Sequence, residues 1–199
     1  MLLALLKARN LRFMHRYAAR VRRVADDAAF DGFFRPTSIL VPIPGSVARL
    51  GGRSVAESLA AALLGEELGD RVWHGLYRSS PLRRSATAPP GSRPSVVDHY
   101  ASLAVRSCPW PAVAAAYSRT AAPPVALAPF PQFLLVDDVV TKGRTLLAAA
   151  ARIRAAYPNA DVRAFALLRT MGLVAGVDRL VSPCVGTIRW RRGDACRTP

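Results

Sequence analysis

Residues 133–145 read FLLVDDVVTKGRT, and this stretch constrains the fold more than any other. Phe133, Leu134, Leu135 and Val136 form an apolar run with no polar side, the pattern of a strand buried on both faces of a parallel sheet. Asp137 and Asp138 follow at once, so two carboxylates stand at the carboxyl end of that strand. Adjacent carboxylates there are costly unless something partners them. A loop from Val139 to Thr145, with a single glycine, then enters an alanine-rich helix that runs to about Tyr157 and stops at Pro158 and Asn159. Strand, loop and helix in this order predict a parallel α/β sheet, in which ligands bind beyond the carboxyl ends of the strands.

The rest of the chain fits that architecture. Ser38–Ile43, SILVPI, is a short apolar run closed by prolines and reads as a second buried strand. Ser54 and Glu57 have the spacing of a capping box and open the helix VAESLAAALLGEEL. RVWHGLY at 71–77, DVRAFALL at 161–168 and CVGTIRW at 184–190 read as further strands, the last being the final one of the chain. Residues 2 to about 30 predict one amphipathic helix, with Leu6, Phe13, Tyr17, Val21 and Val24 on its apolar side. Arg9, Arg12, Arg16, Arg20 and Arg23 form a basic stripe beside them. Residues 79–131 hold most of the proline and read as a loop-rich hood, with a helical turn at Val113–Tyr117. The whole of 1–199 is expected to form one domain.

Charge narrows the partners. The chain carries 28 Lys and Arg against 13 Asp and Glu, a net +15, which favours phosphorylated metabolites, nucleic acid or acidic protein surfaces. Cys108, Cys184 and Cys196 make no C-x-x-C pair, so neither a zinc site nor a disulfide framework is expected. The N-terminal MLLALLK is too short to span a membrane, and a cytoplasmic, membrane-free protein is the expectation.

The loop after the acidic pair has the composition of a phosphate cradle. Gly143 permits close backbone approach, Thr141 and Thr145 supply hydroxyls, Lys142 and Arg144 add positive charge, and the helix N-terminus offers N–H donors. The carboxylates beside it suit sugar hydroxyls or a share in magnesium coordination. A receiver domain is excluded by position, because the pair comes late and no lysine follows Lys142. A nucleoside-triphosphatase P-loop is excluded because no G-x-x-x-x-G-K-[ST] occurs.

FLLVDDVVTKGRT resembles the phosphoribosyl-pyrophosphate signature of type I phosphoribosyltransferases. ILVPIPGSVARLGGRSVAESLA and LYRSSPLRRSATAPPGSRPSVVDHYASLAV are similar to segments of the ComF-like members, and the likeness covers roughly residues 38–170. The resemblance implies a type I phosphoribosyltransferase fold, with phosphoribosyl pyrophosphate (PRPP) and Mg2+ as substrate and cofactor and a nitrogenous base as acceptor. It implies ribose contacts from Asp137 and Asp138, which with Arg78 form the catalytic set. Thr141, Lys142, Gly143, Arg144 and Thr145 would hold the 5-phosphate. Pro44, Gly45, Ser46, Arg53, Arg83 and Arg84 would meet the pyrophosphate, with Arg49 and Arg93 nearby. Lys142 departs from the usual small residue or Arg, and the four-cysteine zinc module of ComF-like chains is missing, so a role in DNA uptake does not carry over.

The alternative reading is a non-catalytic module of this fold that senses a nucleotide or binds nucleic acid through its two arginine-rich ends. A third reading is a protein-interaction subunit of a larger assembly with the N-terminal helix as its contact, and a homodimer or a larger protein complex is the expected assembly. RWRRGD at 189–194 suits nucleic acid, although a solvated terminus is the plainer reading. His99 reads first as a loop histidine without a special role and second as an acid–base or base-contact group. Trp73 and Trp110 read first as packing residues and second as base-stacking ones.

Overall fold

The computed structural model describes residues 11–46, 54–83, 92–107, 132–170 and 183–198. A four-stranded, all-parallel sheet lies at its centre, in the order β2-β1-β5-β6. These strands are β1 (Ile39–Pro42), β2 (Arg71–Val72), β5 (Gln132–Val140) and β6 (Asp161–Arg169). Helices α1 (Leu11–Ala25) and α2 (Val55–Gly65) cover one face, and α4 (Arg144–Ala156) covers the other.

The two-residue alternation of the strands divides the core in two. Ile39 and Val41 of β1 and Phe133 and Leu135 of β5 join Trp73, Leu146, Ile153 and Tyr157 on the α4 face. Leu40, Leu134 and Val136 join Met14, Ala18, Leu59 and Leu63 on the α1–α2 face. Phe133 to Val136 are wholly buried, as their unbroken apolar run requires. Ser54 caps α2 reciprocally with Glu57, as its spacing predicts.

Several boundaries differ from the sequence reading, each for a physical reason. The N-terminal helix ends at Ala25, and a 3-10 turn, Ala28–Phe30, follows. Asp26 and Asp27 fall at its negative dipole end, where carboxylates are disfavoured. Its buried side is Met14, Ala18 and Ala25, while Tyr17 is half-buried. RVWHGLY is not one strand. A Cβ on Gly75 would lie 1.9 Å from the Trp73 ring. That close approach lets Trp73 enter the core and the chain leave the sheet. The remainder becomes β3 (Leu76–Arg78), antiparallel to β4 (Leu103–Val105).

Part of the proline-rich region is regular as well. Ser95 and Asp98 form a second capping box, which starts α3 (Val96–Ser102). The last expected strand is not in the central sheet. β7 (Thr187–Arg191) and β8 (Asp194–Thr198) instead form an antiparallel hairpin. Val113–Tyr117 and Trp110 lie outside the described residues. Among the described residues, no helix is long and apolar enough to cross a membrane.

Phe133 stacks on Tyr157 at 5.2 Å and meets Trp73 at 5.6 Å, which makes it the centre of the α4-face core. Phe133→Ala is expected to lower unfolding stability by about 3–5 kcal/mol, read from urea denaturation followed by tryptophan fluorescence.

Candidate functional site

The acidic pair stands on a step in the sheet. β6 pairs with β5 as far as Val140, but β1 leaves it at Val136, where the Ile43 N–H donates to the Val136 carbonyl at 2.9 Å. Asp137 and Asp138 are therefore inside the strand rather than beyond it, flanked by β6 on one side and past the end of β1 on the other. Alternation gives Asp137 the face of Phe133 and Leu135, and Asp138 the face of Leu134 and Val136. Each carboxylate turns back on the chain: Asp137 Oδ1 accepts from the Asp138 N–H, and Asp138 Oδ1 from the Val139 N–H, both at 2.9 Å.

Burial, and then the charge of Asp138, push the Asp137 carboxyl well above its ordinary range, and the positive charge of Arg78 pulls the other way. Arg78 is fixed from three sides. Its Nε donates to the Gly45 carbonyl at 3.1 Å, a terminal nitrogen donates to Ser102 Oγ, and the other lies 3.2 Å from His99 Nδ1. The Leu82 N–H also donates to the Ser46 carbonyl at 3.0 Å, so the segment after β3 is tied to the turn after β1. The structure thus brings Arg78 and the Gly45–Ser46 turn into one bonded cluster, with the charge of Arg78 felt at Asp137.

His99 is a correction to the sequence reading. It is a buried residue of α3, not a loop histidine, with 4% of its surface exposed. Guanidinium nitrogens can only donate, so Nδ1 is the acceptor for Arg78 and the ring proton belongs on Nε2. Burial first, then Arg78, hold its pKa down at about 4; Asp98 opposes them and Arg144 adds to them. The Thr145 hydroxyl lies 3.4 Å from the same ring. The S-x-x-D spacing of Ser95 and Asp98 was the available signal that His99 belongs to a helix.

The loop after the strand leads into α4 through Gly143. Gly143 sits at φ 83°, a left-handed conformation that glycine adopts without strain, and it is the residue from which α4 departs. A Cβ there would come within 2.6 Å of Ile188, so the hairpin packs directly on the loop. Thr141 is exposed at the loop's tip.

The two loop cations are already engaged. Arg144 grips Asp194 with two nitrogens, at 2.6 and 2.7 Å, and also donates to the Pro94 carbonyl at 3.1 Å. Lys142 Nζ reaches the same carboxylate at 3.0 Å. These cations hold Asp194 well below the usual carboxylate range, the Arg144 hydrogen bonds contributing most. Their structural partner is the hairpin, where the sequence predicts only a single final strand.

The remaining expected contacts are scattered. Pro44 is half-buried beside Gly45, Arg83 is exposed, and Arg93 is exposed near the loop. Arg49, Arg53 and Arg84 lie outside the described residues. Among the described residues, no three His, Cys, Asp or Glu side chains are grouped to hold a metal by themselves.

No family model matches the chain, and no curated protein matches it.

Two pH dependences follow from the site. His99 must stay neutral in the fold but binds a proton when unfolded, so its share of stability is full above about 6.5 and falls as pH drops towards about 4. Asp137 works in the opposite sense. Folding favours its protonated form, so its ionisation lowers stability as pH rises from about 4 towards the raised folded value. His99→Gln, which keeps an acceptor for Arg78, is expected to flatten the acid-side loss of thermal midpoint relative to wild type. Asp137→Asn is expected to raise the midpoint at neutral pH and to leave it unchanged near about pH 4. Calorimetry across that range reads both differences.

Proposed function

We propose that the protein is a phosphoribosyltransferase of type I fold that uses PRPP with Mg2+ and a nitrogenous acceptor. The observation that carries the reading is the stepped strand end. Two carboxylates, Asp137 and Asp138, stand on it, followed by a loop with left-handed Gly143 at the start of α4. Carboxylates can accept from the two ribose hydroxyls while loop N–H groups and the Thr141 and Thr145 hydroxyls donate to the 5-phosphate. Arg78, anchored to Gly45, supports a role at the diphosphate end. Its planar fork suits phosphate oxygens and it does not deprotonate.

In the proposed reaction the C1–O bond to pyrophosphate breaks, the C1–N bond to the acceptor forms, and the acceptor releases its proton. The chain's share is orientation and charge neutralisation rather than nucleophilic attack. Arg78 would be set before the substrate arrives, since His99, Ser102 and Gly45 already fix its guanidinium. Neutral His99 can orient that guanidinium without adding a second positive charge. The carboxylate pair is a fit for magnesium shared with substrate, because the ion commonly uses one or two carboxylates and takes its other ligands from phosphates and water. Bound there, magnesium would offset negative charge on the departing diphosphate.

A second reading, a fold of this type that binds a nucleotide without turnover, has one observation in its favour. Lys142 and Arg144 are committed to Asp194, which leaves loop-side phosphate recognition to N–H groups and hydroxyls.

Pyrophosphate release from PRPP with Mg2+, assayed across purine, pyrimidine and other nitrogen acceptors, is expected for the wild-type protein. Arg78→Lys is expected to slow it by about 10²–10³-fold. Asp137→Asn combined with Asp138→Asn is expected to weaken PRPP binding by about tenfold or more, measured by calorimetry. Unchanged binding in that double variant removes the ribose assignment. Carboxylate-dependent binding without release, for any acceptor, selects the non-catalytic reading.

A further inference from the structure

The C-terminal hairpin does more than cover the loop. Between it and residues 141–142 lies a cavity of ≈ 900 Å³, lined by the cations of Arg93, Lys142, Arg191, Arg192 and Arg197. Three separate stretches of chain supply them: the segment before α3, the loop after β5, and the hairpin. Among the described residues Asp194 is the one carboxylate in that lining, and Lys142 and Arg144 already hold it. Arg197 gives its donors to the Val140 and Thr170 carbonyls at 3.2 and 2.6 Å, neutral acceptors that leave its charge in place. The nearby charge of Arg169 adds to the same positive field.

The turn of the hairpin points the same way. Arg192 and Gly193 form its two-residue connection, with φ 51° and 78°. Positive φ at both central positions is a type I′ turn, where Asn, Asp or Gly is favoured at the first position. A long side chain with a Cβ is strained in that conformation. The protein therefore holds a guanidinium at the tip in a backbone state that a smaller residue would occupy more easily, and strain of this kind collects at functional sites.

We propose that this cavity binds a linear chain of phosphates, as in a nucleoside triphosphate or inorganic tripolyphosphate, at a site separate from the Asp137–Asp138 ribose position. Several guanidinium groups around one space suit successive phosphates, each of which accepts paired N–H donors. The space is open to solvent and is lined by the hairpin and the loop, so an extended polyanion can lie along its cations. The site meets the candidate 5-phosphate loop at Thr141 and Lys142, but the inference does not depend on phosphoribosyl transfer.

The test is calorimetric binding of ATP and of sodium tripolyphosphate to the full chain at fixed salt. Both are expected to bind. Equal affinities assign recognition to the phosphates alone, and tighter ATP binding adds a contact to the nucleoside; either supports the site. Arg192→Asn is the decisive variant, because Asn accepts the turn conformation. It is expected to raise the thermal midpoint while weakening both ligands by about tenfold or more. Asp137→Asn with Asp138→Asn is expected to leave tripolyphosphate binding unchanged, although it impairs PRPP binding. Arg12→Ser with Arg16→Ser, on exposed positions of α1, is the charge control and is expected to change nothing.

Four results would overturn the proposal. These are no binding of either ligand, an equal loss in the α1 control, an equal loss in the carboxylate variant, or full binding by Arg192→Asn. Binding of a single-stranded oligonucleotide in preference to both small anions would also overturn it, in favour of a polymer surface.

Discussion

The parallel pairing of β5 on both sides is the constraint from which the rest of the structure follows. Its four apolar residues are buried between two helical layers, which suits a central strand, and its neighbours β1 and β6 both run parallel to it. The neighbours are unequal in length. β6 continues to Val140 while β1 stops at Val136, and that inequality makes the ledge on which Asp137 and Asp138 stand. Two carboxylates remain in the strand there, each held by the next backbone N–H, with the charge of Arg78 offsetting that of Asp137.

Around that ledge the protein uses its positive charge in two ways. Arg78 is half-buried and directed, with neutral partners that place its charge beside Asp137. The hairpin arginines, by contrast, are gathered around an open space, and the single carboxylate there is spent on fixing the hairpin to the loop. Asp194 thus performs a structural task. It ties the last strand to the N-terminus of α4, with Ile188 packed over Gly143 as the apolar part of the same contact. The net +15 of the chain is accordingly a sum over surfaces with different duties. The exposed α1 stripe of Arg12, Arg16, Arg20 and Arg23 is one of them.

Much of the architecture was legible residue by residue. The apolar run of β5, the capping box of Ser54 and Glu57, and the helix closed by Pro158 all declare themselves through local chemistry. RVWHGLY has the composition of one strand, but the Trp73 ring packs over Gly75, and composition does not record that geometry. Within residues 79–131 the proline content marks loop, yet the S-x-x-D box of Ser95 and Asp98 is the local signal for α3. Within the site, Asp137, Asp138 and the glycine of the loop could be marked from the sequence. The anchoring of Arg78 by His99 and Ser102 could not, since those residues lie 21 and 24 positions away along the chain.

The sequence by itself determined the layers, the strand–loop–helix unit and the residue types at its exit, because periodicity, capping and glycine placement act over a few neighbours. The tertiary structure decided which charges oppose which. Only the folded chain places Asp194 against Lys142 and Arg144, turns the last segment into a hairpin instead of a sheet strand, and sets neutral His99 behind Arg78. Electrostatic partnership depends on distance in space and on burial, and neither is written in the spacing of residues along a chain.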